Sequence, residues 1–200
     1  MRVGQPPESL IVELSSIVDP IDIGRIFPAH QPLEVELGAG DGSFLVNYAT
    51  RHPEKNFIAV ERLLGRIRKI DRKGRRAGLS NLRAVRIESS YFLEFLLPEH
   101  SASALHIYFP DPWPKRKHWK NRLVNERFPE IVRKALAPGG IVYLRTDDRA
   151  YFEQMLSVFG SCSVFRSAET HEELRAVTTD FEGDFRKAGI ETLRAAYRLD

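Results

Sequence analysis

Leu33-Glu34-Val35-Glu36-Leu37-Gly38-Ala39-Gly40-Asp41-Gly42 is the stretch on which the fold turns. Leu33–Leu37 reads as a short strand, the glycines as a tight turn, and the following residues, with Phe44, Leu45, Tyr48 and Ala49 at helical spacing, as a helix. Strand, Gly-rich turn and helix open a nucleotide-binding α/β sheet.

The same alternation continues outward. His52-Pro53 ends the first helix, Asn56–Val60 makes a second strand that finishes on Glu61, and residues 62–77 form a basic helix with Leu63, Ile67 and Ile70 as its inner stripe. Strands follow at 82–87 and 104–109, with a short helix up to Leu97 between them. A helix over 127–136 stops at Ala137-Pro138-Gly139-Gly140, and a fifth strand over 141–145 reaches Thr146-Asp147-Asp148. A helix through Phe159 and strands over 163–166 and 192–199 close the chain. Repeated β-then-α units imply a mostly parallel, doubly wound sheet with helices on both faces. Residues 1–32 are Pro-rich and read as an irregular N-terminal extension, leaving 33–200 as one domain.

Two hundred residues suffice to bury a substantial core. No apolar run approaches the length of a membrane span and the N-terminus lacks a secretory h-region, so a cytoplasmic protein is expected. The single Cys162 excludes an intramolecular disulfide and a cysteine-based zinc cluster, and the six histidines show no paired ligand spacing, so no metal is expected. Oligomeric state is not encoded in any pattern, and a monomer or a homodimer fits equally well.

Net charge is only +3, but its distribution is uneven. Counting Lys and Arg against Asp and Glu, residues 61–76 carry +6 and residues 101–122 carry +4, while the rest of the chain is net acidic. Trp113, His118 and Trp119 are interleaved with the second basic segment. Cations alternating with aromatic planes suit phosphates and unpaired bases.

The Gly-rich turn could serve a dinucleotide, a phosphate or another ligand, and its details narrow the choice. The spacing is G-x-G-x-G through Gly38, Gly40 and Gly42, with Glu36 just before it. A pyrophosphate wants G-x-G-x-x-G and gains nothing from a carboxylate, which weighs against an NAD-dependent oxidoreductase. An ammonium group pairs well with Glu36, and S-adenosylmethionine offers an ammonium and no phosphate. Glu61, at the tip of the second strand, is spaced to accept from ribose hydroxyls, and Glu88, past the third, to meet an adenine amino group. A non-catalytic RNA-binding module that kept the fold remains an alternative.

The decisive resemblance lies in Phe109-Pro110-Asp111-Pro112-Trp113-Pro114-Lys115, followed by Lys117-His118, Lys120 and Arg122. This string resembles the signature of the bacterial tRNA (guanine-N7)-methyltransferases, and the likeness extends over residues 30–199, through Thr146-Asp147 and Thr179-Asp180-Phe181-Glu182. The resemblance implies a Rossmann-like class I methyltransferase fold of seven strands with an antiparallel last strand, S-adenosylmethionine as cofactor and tRNA as partner, usually methylated at guanosine 46 of the variable loop. It implies cofactor contacts from Glu36, Gly38, Gly40, Gly42, Glu61, Glu88 and Asp111, with Asp111 also catalytic. It further implies substrate contacts from Lys115, Asp147, Thr179, Asp180, Phe181 and Glu182. The basic arm Arg116, Lys117, His118, Lys120 and Arg122 would hold the tRNA backbone. Glu88 and Asp180 depart from the residues the family usually has there, as does Asn121.

Guanine N7 has an in-plane lone pair and no proton, so methyl transfer to it needs no strong base. The purine becomes cationic as the bond forms, and a fixed carboxylate interacts more strongly with that state than with the neutral base. Asp111 is the expected stabiliser, with Asp147 or Glu182 as acceptors for the guanine edge.

Overall fold

The structure, a computed structural model, describes residues 8–200, and of Asp180 only the backbone. It divides into two compact units after Pro98.

The first unit runs β1 (Ile11–Val12), α1 (Ile23–Ile26), β2 (Leu33–Leu37), α2 (Ser43–Arg51), β3 (Asn56–Val60), α3 (Leu64–Arg76), β4 (Leu82–Val85) and α4 (Ser89–Tyr91), the last continued by a π-helical turn at Phe92–Leu96. Its strands lie in the order β1-β4-β3-β2 and every pairing is parallel. All five residues of β2 and of β3 are buried, as in a parallel sheet covered on both faces. Within residues 8–32, β1 and the short α1 are the regular elements, and the segment is tied to the sheet through Leu10. Leu10 is fully buried, its N–H donates to Asp71 Oδ1 at 2.7 Å and its carbonyl accepts from Ala84 N–H at 2.8 Å. A Cβ on Gly74 would lie within 2.4 Å of the Leu10 side chain, so that glycine of α3 makes room for the N-terminal strand. The inner stripe of α3 is therefore Ile67, Ile70 and Gly74. Leu63 was expected in that stripe, and its spacing from Ile67 and Ile70 fits it, but it stands at the N-cap with extended backbone (φ −85°, ψ 117°) and is 47% exposed, one residue before the helix begins.

The second unit runs β5 (Ala102–Tyr108), a 3₁₀ turn at Arg116–Asn121, α5 (Phe128–Ala135), β6 (Leu136–Thr146), α6 (Arg149–Gly160), β7 (Phe165–Ser167), α7 (Glu172–Ala176), α8 (Asp180–Lys187) and β8 (Leu193–Leu199). The strand order is β5-β6-β8-β7, with β5 and β6 parallel and β8 antiparallel to both neighbours. Strand β6 begins five residues before the expected strand, and the β5–β6 register shifts between Ala102 and Ala104, opposite the Pro138-Gly139-Gly140 turn. Helices α7 and α8 occupy a stretch to which the sequence reading gave no element. Among the described residues there are eight strands where seven were expected. The two-residue β1 was not foreseen because its pairing depends on Asp71 and Gly74, distant in sequence.

Candidate active site

In the first unit the turn after β2 carries Gly38, Gly40 and Gly42 at φ of 75°, 58° and 78°, a left-handed path that favours glycine. Gly38 and Ala39 donate to the Val60 carbonyl at 2.9 Å, tying the turn to the end of β3. Glu61 fastens the other side: its buried carboxylate accepts from Gly40 N–H at 3.1 Å through Oε2 and from Leu63 N–H at 2.8 Å through Oε1, with Arg66 Nη1 3.6 Å from Oε2. The turn's third member does different work. A Cβ on Gly42 would sit 2.8 Å from Ile70 Cγ1, whereas a Cβ on Gly38 or Gly40 would meet no protein atom within 4 Å. Gly42 thus permits helix packing, and the other two leave open space over the turn. Glu36 is buried one residue before the end of β2. Asp41 pairs with Lys73 and accepts from Ser43 N–H at the start of α2. Glu88, exposed past β4, caps the helix that follows by accepting from Tyr91 N–H at 2.8 Å.

In the second unit β5 ends at Tyr108 and the chain turns sharply. Phe109 at φ 51° and Trp113 at φ 45° flank Pro110, Asp111 and Pro112. Non-glycine residues held in the left-handed region store strain of about 1–3 kcal/mol each, and such strain concentrates at functional sites. Asp111 is exposed, and its Oδ1 accepts from Trp113 N–H at 3.2 Å, so the acid closes its own turn. The half-buried Trp113 ring packs edge-on to His118 at 5.8 Å.

Of the basic arm, Lys115, Arg116, Lys117 and Lys120 are exposed and His118 is half-buried. Arg122 is not part of that exposed surface, which corrects the expected backbone contact. It is 2% exposed, donates from Nε to the Pro112 carbonyl at 2.7 Å and from Nη1 to Gln154 Oε1 at 2.6 Å, and lies over the rings of Trp119 and Tyr151 at 4.4 and 4.6 Å. Arg122 anchors the arm rather than extending it. Tyr151 in turn accepts from Val124 N–H at 2.9 Å, and burial pushes its phenol up to about 12.

Two acids, Asp147 and Asp148, precede α6, and either can cap a helix. Asp148 performs that task, accepting from Tyr151 N–H at 2.7 Å. Asp147 is exposed and makes no side-chain hydrogen bond or ion pair among the described residues.

Thr179 and Glu182 form a capping box at the start of α8, Thr179 Oγ1 accepting from Glu182 N–H and Glu182 Oε2 from Thr179 N–H. Glu182 is buried and also accepts from Arg145 Nη1 at 2.8 Å and Arg194 Nη2 at 2.7 Å. With three protein donors on its carboxylate and 2% exposure, it is committed to building the segment, which corrects the expectation that it receives the edge of a base. Arg145, which sequence reasoning did not single out, also donates to the carbonyls of Val177 and Leu174 and lies 4.1 Å over the Tyr108 ring. A cation within the otherwise apolar run of β6 was the signal. Phe181, between the capping-box partners, is 50% exposed.

Residues 30–195 match the model of a family described as "Putative methyltransferase". The chain belongs to this methyltransferase family. Its relatives include the tRNA (guanine-N(7)-)-methyltransferase of Sodalis glossinidius, 37% identical over 148 residues, covering 74% of this chain and 62% of that protein. Another, bearing the same name in Thermotoga maritima, is 33% identical over 174 residues, 86% of this chain and 56% of that protein. The chain spans roughly three fifths of the length of the curated relatives it matches. The crystal structure of the 16S rRNA methyltransferase KamB superposes with a TM-score of 0.63 at 16% identity, covering 88% of this chain and 92% of that one. At that identity the likeness speaks for the fold, which is that of class I methyltransferases. Among the described residues no group of three or more His, Cys, Asp or Glu is arranged to hold a metal ion, and no helix is long and apolar enough to cross a membrane.

Proposed function

We propose that this chain transfers the methyl group of S-adenosylmethionine to N7 of a guanosine in tRNA, guanosine 46 of the variable loop being the expected position. The observation that carries the reading is Asp111, an exposed carboxylate fixed between two left-handed residues and followed within nine residues by four exposed cations.

S-adenosylmethionine, when bound, supplies an electrophilic methyl group. The residues of the first unit fit that ligand. The space over Gly38 and Gly40 lets a ligand approach the backbone closely, and Glu36 offers a carboxylate to an ammonium. Glu61 already accepts two backbone N–H groups, and a carboxylate has about four lone-pair sites, so it retains capacity for ribose hydroxyls. Glu88 stands as the acceptor for an adenine amino group.

In the second unit Asp111 has no proton to remove from N7. Its role is electrostatic, opposing the positive charge that grows on the purine ring. Asp147, spared from capping, is the acceptor for the guanine edge. Lys115, Arg116, Lys117 and Lys120, with His118, neutralise backbone phosphates. Thr179 and Glu182 act on substrate through the segment they fold, and Phe181 is the side chain of that segment left to meet it.

The test is methyl transfer from labelled S-adenosylmethionine to tRNA, followed by digestion to nucleosides. The expected product is 7-methylguanosine, lost when guanosine 46 of the transcript is replaced by adenosine. Label on another nucleoside, or none, overturns the proposal.

A further inference from the structure

We propose that the rings of Phe109, Phe181 and Phe185 form a stacking platform for an unpaired base of the RNA substrate, an inference that rests on the tRNA reading above and assigns the contact beyond Phe181 alone.

The three rings make one cluster. Phe181 and Phe185 lie 6.3 Å apart, nearly parallel at 26°, and Phe109 approaches them at 6.3 and 5.4 Å. Phe181 is half exposed, and Phe109 and Phe185 are only partly buried. Water contact with a phenylalanine ring is unfavourable, and in this unit other phenylalanines such as Phe128 and Phe159 are buried to 1% exposure or less.

The exposure is enforced rather than accidental. Thr179 and Glu182, on either side of Phe181, are pinned inward by the capping box and by Arg145 and Arg194. Arg145 also holds the carbonyls of Leu174 and Val177 on the approach to α8. The same residue fixes the other half of the platform, because Phe109 N–H donates to the Arg145 carbonyl at 2.8 Å while Phe109 sits at φ 51°. One buried arginine therefore ties together the two segments that supply the rings.

Charge selects the occupant. Phe109 is two residues from Asp111, and the four exposed cations of the arm follow in the same stretch of chain. Cations that follow an aromatic face in the same short stretch of chain match a ligand that carries phosphates and planar bases together. An apolar protein surface would cover the rings without using the cations.

The experiment measures the affinity of the full chain for a tRNA transcript at several salt concentrations, together with 7-methylguanosine formation, for the wild type and for Phe181→Ala, Phe181→Leu and Phe181→Tyr. Stacking of one base accounts for roughly a 5- to 150-fold change in affinity. Phe181→Ala is expected to weaken binding within that range and to leave the slope of log affinity against log salt unchanged, since no phosphate contact is lost. Phe181→Leu keeps the apolar bulk and loses the aromatic face, so it is expected to bind as weakly as Phe181→Ala, while Phe181→Tyr binds like the wild type. Wild-type affinity in Phe181→Leu, with an unchanged unfolding midpoint, overturns the platform and leaves the N7 reading standing if the wild type still makes 7-methylguanosine. A wild type that binds tRNA without making 7-methylguanosine sinks the activity reading alone. A wild type that binds no tRNA overturns both.

Discussion

Arg145 donates from Nη1 to Glu182 Oε2 at 2.8 Å, with the two side chains 2% and 1% exposed. Arg194 approaches the other oxygen of Glu182 at 2.7 Å, so one buried carboxylate answers two guanidinium groups. Removing a single partner of a buried pair strands the other charge and costs about 3–5 kcal/mol. Glu182→Gln keeps the shape and removes the charge. It is expected to lower the unfolding free energy by that amount in urea titrations, with an unchanged m-value. A loss below about 1 kcal/mol, the level of a surface pair, would contradict the role assigned to Glu182.

The Gly-rich turn separates packing from ligand access. Gly42→Ala drives a Cβ to 2.8 Å from Ile70 Cγ1 at a φ of 78°, so it should destabilise the protein by about 2–4 kcal/mol through strain and overpacking together. Gly38→Ala meets no protein atom and carries only the strain of its positive φ, about 1–2 kcal/mol. Its larger effect is expected in isothermal titration with S-adenosylmethionine, where the added methyl occupies the space over the turn. If Gly38→Ala binds S-adenosylmethionine normally, that space is not the cofactor cradle.

Tyr151 gives a pH signature. Its phenol is raised from 10.0 to about 12, chiefly by burial, so the folded state holds the proton more tightly than the unfolded chain does. Stability from this group is complete below pH 10 and is lost as pH rises through about 12, a total on the order of 2–3 kcal/mol. Tyr151→Phe removes the acceptor for Val124 N–H and should be less stable than the wild type at pH 8. Between pH 10 and 12 its stability should fall less steeply. Unfolding titrations at the three pH values read both effects, and parallel curves would refute the assignment.

What could be read from the sequence was local. Strand, turn and helix at Leu33–Arg51 follow from apolar spacing and glycine chemistry within twenty residues, and the structure has them there. What could not be read depends on distant partners. Ile11–Val12 becomes a strand because Asp71 and Gly74 receive Leu10, and Arg122 turns inward because Pro112, Trp119, Tyr151 and Gln154 surround it. Charge composition alone could not distinguish that arginine from its exposed neighbours. The capping box was different. Thr179-x-x-Glu182 is a local signal of a helix N-terminus, and it shows which face of the segment is committed to structure.

Asp111 serves both a turn and a proposed charge, and two substitutions separate them. Asp111→Asn retains an oxygen that can accept from Trp113 N–H and loses only the negative charge. Turnover is expected to fall about 10²- to 10³-fold in both Asp111→Asn and Asp111→Ala, the scale of one lost electrostatic stabiliser. Affinity for tRNA should stay within about three-fold of wild type, since the charge acts chiefly as the purine becomes cationic. Near-normal turnover in Asp111→Asn would assign the carboxylate to the turn alone.

The basic arm makes the last distinction, between cations proposed to meet phosphate and one that holds the arm in place. Lys117 is exposed, and each phosphate contact contributes about 0.7–0.9 to the slope of log affinity against log salt. Lys117→Ala is expected to reduce that slope by this amount with stability unchanged. Arg122 is buried, with Nε and Nη1 committed to Pro112 and Gln154, so it is expected to add nothing to the slope. Arg122→Lys cannot reproduce two directed bonds and two ring contacts from one planar group, and it should lower the unfolding midpoint. Any weakening of tRNA binding in that variant would then come from an arm no longer held in register, with the slope intact at low temperature. Salt titrations of both variants, paired with thermal unfolding, test the division, and a reduced slope in Arg122→Lys would return that residue to the phosphate-binding surface.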